Sequence, residues 1–269
     1  MKAGEQLTFL VGTGHGTCTC QGAAFEYVFN LEFEIRKAGV RDRARIVYLT
    51  NEAELGDFGV DGMQLRSGGF VIPGKLFAES LFAERSVEWI TGAHVQKVDP
   101  GVVHYETLDG EMHTLPFDFA MLLPPFRGVE LLAFDQRGVD ITSEVFAPNG
   151  FMKVDADYRP KAYDEWRAED WPKTYQSPKY RNIFAAGIAF APPHAISRPR
   201  KSKNGTVISP APPRTGMPSG VIGRTVALSI VDMIEHGAQA PTQSASLATM
   251  GAACVASAGA HFGRGTARR

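Results

Sequence analysis

An α/β fold of the dinucleotide-binding type is predicted by three observations in the first fifty residues. A short apolar run, Leu7 to Val11, leads into a glycine-rich turn; an amphipathic helical pattern follows; a second apolar run, "RIVYLT" at Arg45 to Thr50, comes next. That is the order of a βαβ unit, which implies a parallel sheet and a right-handed crossover. The predicted helix, Ala23 to Ala38, carries Ala24, Val28, Leu31 and Ile35 on one stripe, the spacing of a buried helical face. Gly39 ends it, since a residue without Cβ accepts the left-handed conformation there. Together these features define a Rossmann-like domain.

A glycine-rich loop, Gly56 to Gly69, and a helix near Gly74 to Arg85 come next. Short strands are then expected at Val87 to Ile90, His94 to Val98, Val102 to Glu106, Met112 to Leu115 and Phe119 to Leu123. The Asp109-Gly110 pair in "LDGE" is a strong hairpin signal, so these strands form a β-meander. From Pro124 the chain becomes rich in proline and glycine, with strands expected at Phe151 to Val154 and Asn182 to Ala186. Residues 160–180 are polar, carry two tryptophans and read as an inserted surface loop. The Pro-rich segment Pro192 to Pro213 feeds a helix from about Gly216 to His236. The expected domains are thus residues 1–124 and 125–269.

Composition narrows the function classes. The 269 residues are 44% hydrophobic and 21% charged, with a formal net charge of −1, which gives no electrostatic reason for a nucleic-acid partner. Arg198, Arg200, Lys201 and Lys203 form the one basic cluster and read as a solvated loop. No apolar run approaches the roughly 18 residues of a membrane span, and the N-terminal apolar stretch reads as a buried strand, not a signal peptide. Three cysteines are too few for a disulfide scaffold and suit a reducing compartment. The expected location is cytoplasmic or peripheral to the cytoplasmic membrane.

The turn "GTGHGTCTCQGAAFEY", Gly12 to Tyr27, admits several readings. A dinucleotide fingerprint needs G-x-G-x-x-G and an acid about 20 residues on; here Thr17 holds the third glycine position, and the nearest acid after the second strand is Glu52. A zinc site needs a second ligand pair, and Cys18 and Cys20 have none, so no metal is expected. Cys20 precedes the helix directly, where unpaired N–H groups and the positive end of the helix dipole favour thiolate chemistry. A small cysteine packed under a glycine turn fits the same residues.

Four ordered blocks bear on this choice. "CQGAAFEYVFNLEFEIRKAGVRDRARIVYLTNEAELGDFG" from Cys20, "NIFAAGIAFAPP" from Asn182, "PPRTGM" from Pro212 and "MGAACVASAG" from Met250 resemble, in order, segments of the sulfide:quinone oxidoreductases. These belong to the FAD-dependent pyridine nucleotide-disulfide oxidoreductase superfamily. The resemblance implies that residues 1–124 are the second dinucleotide-fold domain and that 125–269 are the returning part of an FAD-binding domain. It implies a redox pair, Cys20 with Cys254, beside FAD, sulfide and quinone as substrates, and no assigned role for Cys18. It also implies that Gly187, Ile188 and Ala189, at a strand end, and Arg214, Thr215 and Gly216, before a helix, hold the cofactor through backbone amides and the helix N-terminus.

The pattern departs from the family in three ways. The family's opening FAD-binding βαβ unit, a further cysteine and the membrane-docking C-terminal helices have no counterpart in these residues, so FAD is expected to need a complementing FAD-binding segment or chain, and any membrane association would be peripheral. Where relatives often carry histidine, this chain has Gly56-Asp57-Phe58-Gly59, an acid that can still move protons. Alternatives to a split or partial flavoenzyme are a non-enzymatic, partner-binding remnant and an NAD(P)H dehydrogenase of the same superfamily.

Overall fold

The computed structural model describes residues 4–250 and the backbone of two short strands, Val255–Ala256 and Gly265–Thr266. Two compact units emerge: residues 4–125 with 195–213, and residues 126–194 with 214–250.

The first unit is built on a four-stranded parallel sheet of β1 (Leu7–Thr13), β2 (Ala44–Leu49), β5 (Glu88–Ile90) and β9 (Phe119–Leu123), in the order β5-β2-β1-β9. Helix α1 (Gln21–Lys37) makes the crossover from β1 to β2, as the sequence predicts. Its buried face is wider than the expected stripe: Phe25, Phe29 and Glu32 join Ala24, Val28 and Ile35, and Leu31 is half-buried. Glu32 tolerates burial because Arg36 and Arg41 pair with it. At the strand end, Gly12 lies so close to β2 that a Cβ there would stand 1.8 Å from the Leu49 carbonyl oxygen.

Strand alternation divides the core between the two faces of the sheet. Val11, Ile46 and Tyr48 face α1 and α2 (Gly74–Glu84), where Phe82 packs its ring against Phe25, Phe29, Tyr48 and Trp89 at centroid distances of 5.0–5.9 Å. Leu10, Val47 and Leu49 face the antiparallel meander of β6 (Ala93–Asp99), β7 (Val102–Thr107) and β8 (Met112–Pro116). The β7–β8 turn is tied by the Asp109 carboxylate, which accepts from the Thr107 hydroxyl and the Glu111 amide, as the Asp-Gly signal implies. One hairpin was not expected: β3 (Gln64–Ser67), inside the stretch read as a glycine-rich loop, pairs with β4 (Phe70–Pro73), which follows it.

The second unit differs more from expectation. Its elements are the single turn α3 (Thr142–Val145) and the long helix α4 (Gly216–Glu235). The strands expected at Phe151 to Val154 and Asn182 to Ala186 shrink to isolated bridges, Met152 with Phe146 and Phe190, and Phe184 with Gln176. Apolar segments become strands only where a neighbour extends the ladder, and none does here. Residues 160–180 are not a detached surface loop. Trp171 and Tyr175 are buried, the Asp155 carboxylate accepts from the amides of Lys173, Thr174 and Tyr175 at 2.7–3.1 Å, and the Trp171 indole donates to His194 Nε2 at 2.8 Å.

Residues 195–213, expected in the second domain, return to the first unit. Their hydrogen bonds explain this: Ser209 N donates to Gly16 O, Ala211 N to Cys18 O, and the Ser202 and Thr206 hydroxyls to the Glu106 carboxylate. Contrary to the sequence expectation, among the described residues one helix, α4, is long and apolar enough to cross a membrane by length and composition.

Candidate functional site

The glycine turn between β1 and α1 is closed on itself. Five successive amides have partners within the first unit: Gly14 N donates to Leu123 O, His15 N to Cys18 Sγ, Gly16 N to His94 Nδ1, Thr17 N to His15 Nδ1 and Cys18 N to His15 O. Its carbonyls are occupied as well. Asn51 Nδ2 donates to Gly16 O and Cys18 O, Gln21 Nε2 donates to Cys18 O, and the 195–213 strap adds the two bonds from Ser209 and Ala211. A Cβ on Gly16 would stand 2.1 Å from Val207 O, so the strap lies directly on the turn. A phosphate cradle needs outward-facing amides; here they are consumed.

Cys20 caps α1 in a left-handed conformation, φ 66°, ψ 37°, and is partly exposed. Non-glycine residues adopt such angles at a cost of about 1–3 kcal/mol, which the surrounding structure must offset. Cys18 is its opposite in character. It is fully buried, its thiol donates to Leu123 O at 2.9 Å, and burial pushes its pKa up to about 11. It is therefore a neutral thiol in ordinary buffers. Cys254 lies outside the described residues.

Two acids stand near the first turn of α1. Glu52, at the end of β2, is fully buried and accepts from the Thr50 hydroxyl at 2.7 Å and the Phe58 amide at 2.8 Å. Burial raises its pKa to about 7, with the nearby Asp57 charge adding to the effect. Asp57 is also raised by burial, against the lowering influence of the Ser197 hydroxyl and the Gly59 amide that donate to it. The turn holding Asp57 packs on α1: the Phe58 ring meets Phe25 edge-on at 5.3 Å, and a Cβ on Gly59 would stand 3.5 Å from Gln21 Oε1.

Sequence reasoning missed a histidine pair. His15 and His94 meet edge-to-face at 4.6 Å, and burial lowers the pKa of each, so both are neutral near pH 7. Each Nδ1 accepts a backbone amide, which leaves the proton on Nε2. "GTGHG" displays His15, but nothing local announces a partner 79 residues later.

In the second unit, Gly187, Ile188 and Ala189 form a tight turn, and Thr215 caps α4, which begins at Gly216. Arg214 draws these two blocks together: its guanidinium donates to Ile188 O and Phe190 O and lies 3.8 Å over the Phe151 ring. Gly187 takes φ 63°, and a Cβ there would reach 3.5 Å from the Ser219 side chain, so its backbone sits close to the first turn of α4. The six residues expected to hold a cofactor thus share one neighbourhood. Its backbone amides and bare glycines suit a phosphate-bearing or carbonyl-rich group such as a flavin dinucleotide. Arg214 itself is engaged in packing and carbonyl binding.

The chain matches no established protein-family profile. It is 30% identical over 218 residues to the sulfide-quinone reductase of Aquifex aeolicus, a match covering 81% of this chain and 42% of that one. The solved structure of the sulfide:quinone oxidoreductase from Aquifex aeolicus superposes with a TM-score of 0.67 and 29% identity, over 93% of this chain and 48% of the other. This chain spans less than half the length of the relatives it matches.

Proposed function

We propose that this chain, which is 30% identical over 218 residues to a sulfide-quinone reductase, forms the redox-thiol part of a flavin-dependent enzyme that oxidises sulfide and reduces quinone. The observation that carries the reading is Cys20, held left-handed at the cap of α1 within the first of the four ordered sequence blocks. In this reading Cys20 and Cys254 are the redox pair. Sulfide attacks the bridged pair, one sulfur retaining the added sulfur and the other leaving as thiolate.

The residues around Cys20 have defined tasks. Cys18, neutral and bonded to Leu123 O, stays out of thiol exchange and leaves Cys20 as the reacting thiol of the turn. Asp57 takes the proton-handling place that histidine holds in relatives, and Glu52 beside it, its pKa raised by burial to about 7, both accepts and returns a proton at neutral pH. Gly187, Ile188, Thr215 and Gly216 would hold FAD through backbone amides, with Ala189, whose amide donates to Ala186 O, shaping the turn and Arg214 keeping the two blocks in register. A bound FAD would supply the two-electron redox chemistry between the thiols and quinone. The remainder of the FAD site is assigned to a complementing FAD-binding segment of the kind the longer relatives contain, and the assembly is placed peripherally at the membrane.

An NAD(P)H dehydrogenase is the weaker reading, because the turn that would cradle the dinucleotide has its amides and carbonyls occupied and is covered by residues 207–211. The test is mass spectrometry after alkylation without reductant. A Cys20–Cys254 link or a persulfide on either residue is expected. Recovery of all three cysteines as alkylated thiols of equal reactivity would favour a non-enzymatic remnant.

A further inference from the structure

We propose that His15 and His94 form a pH-sensitive latch: as neutral rings they keep the strap of residues 207–211 down on the glycine turn, and once protonated they release it. The Gly16–Thr17 peptide carries the contact. Its N–H, on Thr17, donates to His15 Nδ1 at 3.1 Å, and its carbonyl, on Gly16, accepts from Ser209 N at 2.7 Å. The preceding amide, Gly16 N, donates to His94 Nδ1 at 2.8 Å. Two residues on, Cys18 O accepts from Ala211 N at 3.0 Å. The histidines therefore hold the turn by its amides while the strap holds it by its carbonyls, and Val207 O fills the space that a Cβ on Gly16 would need.

Protonation removes both amide acceptors. An imidazolium carries N–H on both ring nitrogens, so each Nδ1 would present a donor to an amide that is itself a donor. The rings meet edge to face at 4.6 Å, so a second charge is repelled by the first. Burial holds both rings below the ordinary pKa of 6.5; at His94 the His15 charge adds to this and Glu106 opposes it. Lifting the strap exposes the rings, so the open form takes up protons that the closed form refuses. The closed form is therefore favoured above about pH 6.5 and lost as pH falls below it. The other ionisable groups at the turn and strap act differently. Glu106 stands opposite His94 in the β6–β7 ladder and accepts from the Ser202 and Thr206 hydroxyls, which hold its pKa down and keep it charged through mild acid. Asp57 and Asp61 accept from the Ser197 hydroxyl and the Arg198 amide. Burial raises Asp57, as it raises Glu52, so acid favours the closed fold at these two carboxyls, the opposite sign to the histidines. Cys18, whose Sγ accepts from His15 N, stays a neutral thiol.

The experiment is amide exchange of the 269-residue chain, read residue by residue by NMR at about pH 7.5 and about pH 5.5. The Ser209 and Ala211 amides report on the latch directly, because they make the strap's bonds to the turn. Their protection factors, from which the intrinsic pH dependence of exchange is divided out, should fall on acidification by up to about tenfold for each histidine. The imidazole resonances of His15 and His94 should titrate over the same range. Amides within β2 should keep their protection, which separates lifting of the strap from loss of the fold. His94→Asn puts an amide oxygen where Nδ1 stands, so Gly16 N keeps an acceptor that does not titrate; His15→Asn does the same for Thr17 N. Each variant should remove its own share of the fall, and the double variant all of it, whereas Glu52→Gln should leave the fall in place. Protection at Ser209 and Ala211 that does not change with pH overturns the proposal, as does a fall shared by β2 or one that persists in the double variant. Should a variant fail to fold, the native chain decides: imidazole titrations that do not coincide with the loss of protection overturn the latch.

Discussion

Replacing Glu52 with glutamine should change how the stability of the first unit depends on pH. Glu52 is fully buried, and its pKa in the folded chain stands at about 7 against an ordinary 4.5. The folded value is raised, so between these two pH values the unfolded chain gives up a proton that the folded chain retains, and folding is disfavoured as pH rises. The full effect is about 3 kcal/mol, reached near neutral pH and absent below about pH 4. Glutamine keeps the shape and an oxygen acceptor for the Phe58 amide without taking a charge. The assay is urea unfolding of both proteins at about pH 4 and about pH 8. The native protein should lose about 3 kcal/mol relative to Glu52→Gln across that range, equivalent to roughly 2–4 °C in Tm per kcal/mol. Parallel profiles, within about 0.5 kcal/mol of one another, would refute the reasoning, since surface acids common to both proteins cancel in the difference.

Two further outcomes follow from the glycine turn. Iodoacetamide at about pH 8, applied to the reduced protein, should label Cys20 well before Cys18, which is buried and has a pKa near 11; peptide mapping that finds Cys18 labelled first contradicts the assignment. Gly16→Ala should cost about 1–3 kcal/mol in thermal unfolding and speed proteolysis within residues 195–213, because its Cβ would collide with Val207 O and push the strap away; an unchanged Tm and digestion pattern would show that the strap does not rest there.

Local signals made much of the first unit legible. Alternating strand faces, the α1 stripe and the Asp109-Gly110 turn each act over a few residues; β9 falls at the predicted bounds, Phe119–Leu123, but it and β5 join the parallel sheet instead of the meander expected of them. The β3–β4 hairpin escaped because Gly68-Gly69 was absorbed into a longer glycine-rich stretch, although two short runs flanking such a pair carry a hairpin signal of their own. Distance in sequence hid the rest. Nothing near His94 declares that its ring nitrogen will accept the Gly16 amide, and the Thr50-x-Glu52 pattern names the acid without revealing that the Phe58 turn will bury it. The aromatic residues of 160–180 are also a packing signal, and Trp171 and Tyr175 do pack.

The strap shows how the Rossmann-like turn of the first unit is satisfied from within the chain. A Rossmann-like turn ordinarily offers its amides to a phosphate, and that offer constrains glycine to three positions. Here the acceptors come from within: His94, His15, the Cys18 sulfur and Leu123 O take the amides, while Asn51, Gln21, Ser209 and Ala211 fill the carbonyls. With no phosphate to admit, the third glycine position is released from the need for close approach, and Thr17 occupies it without penalty. The same replacement fixes the backbone leading into α1 from both sides, with Cys18 O bound by three donors, Gln21 Nε2, Asn51 Nδ2 and the Ala211 amide. A rigid approach of that kind is what a left-handed Cys20 requires. The occupied amides of the turn and the left-handed placement of Cys20 are therefore two consequences of one hydrogen-bond network.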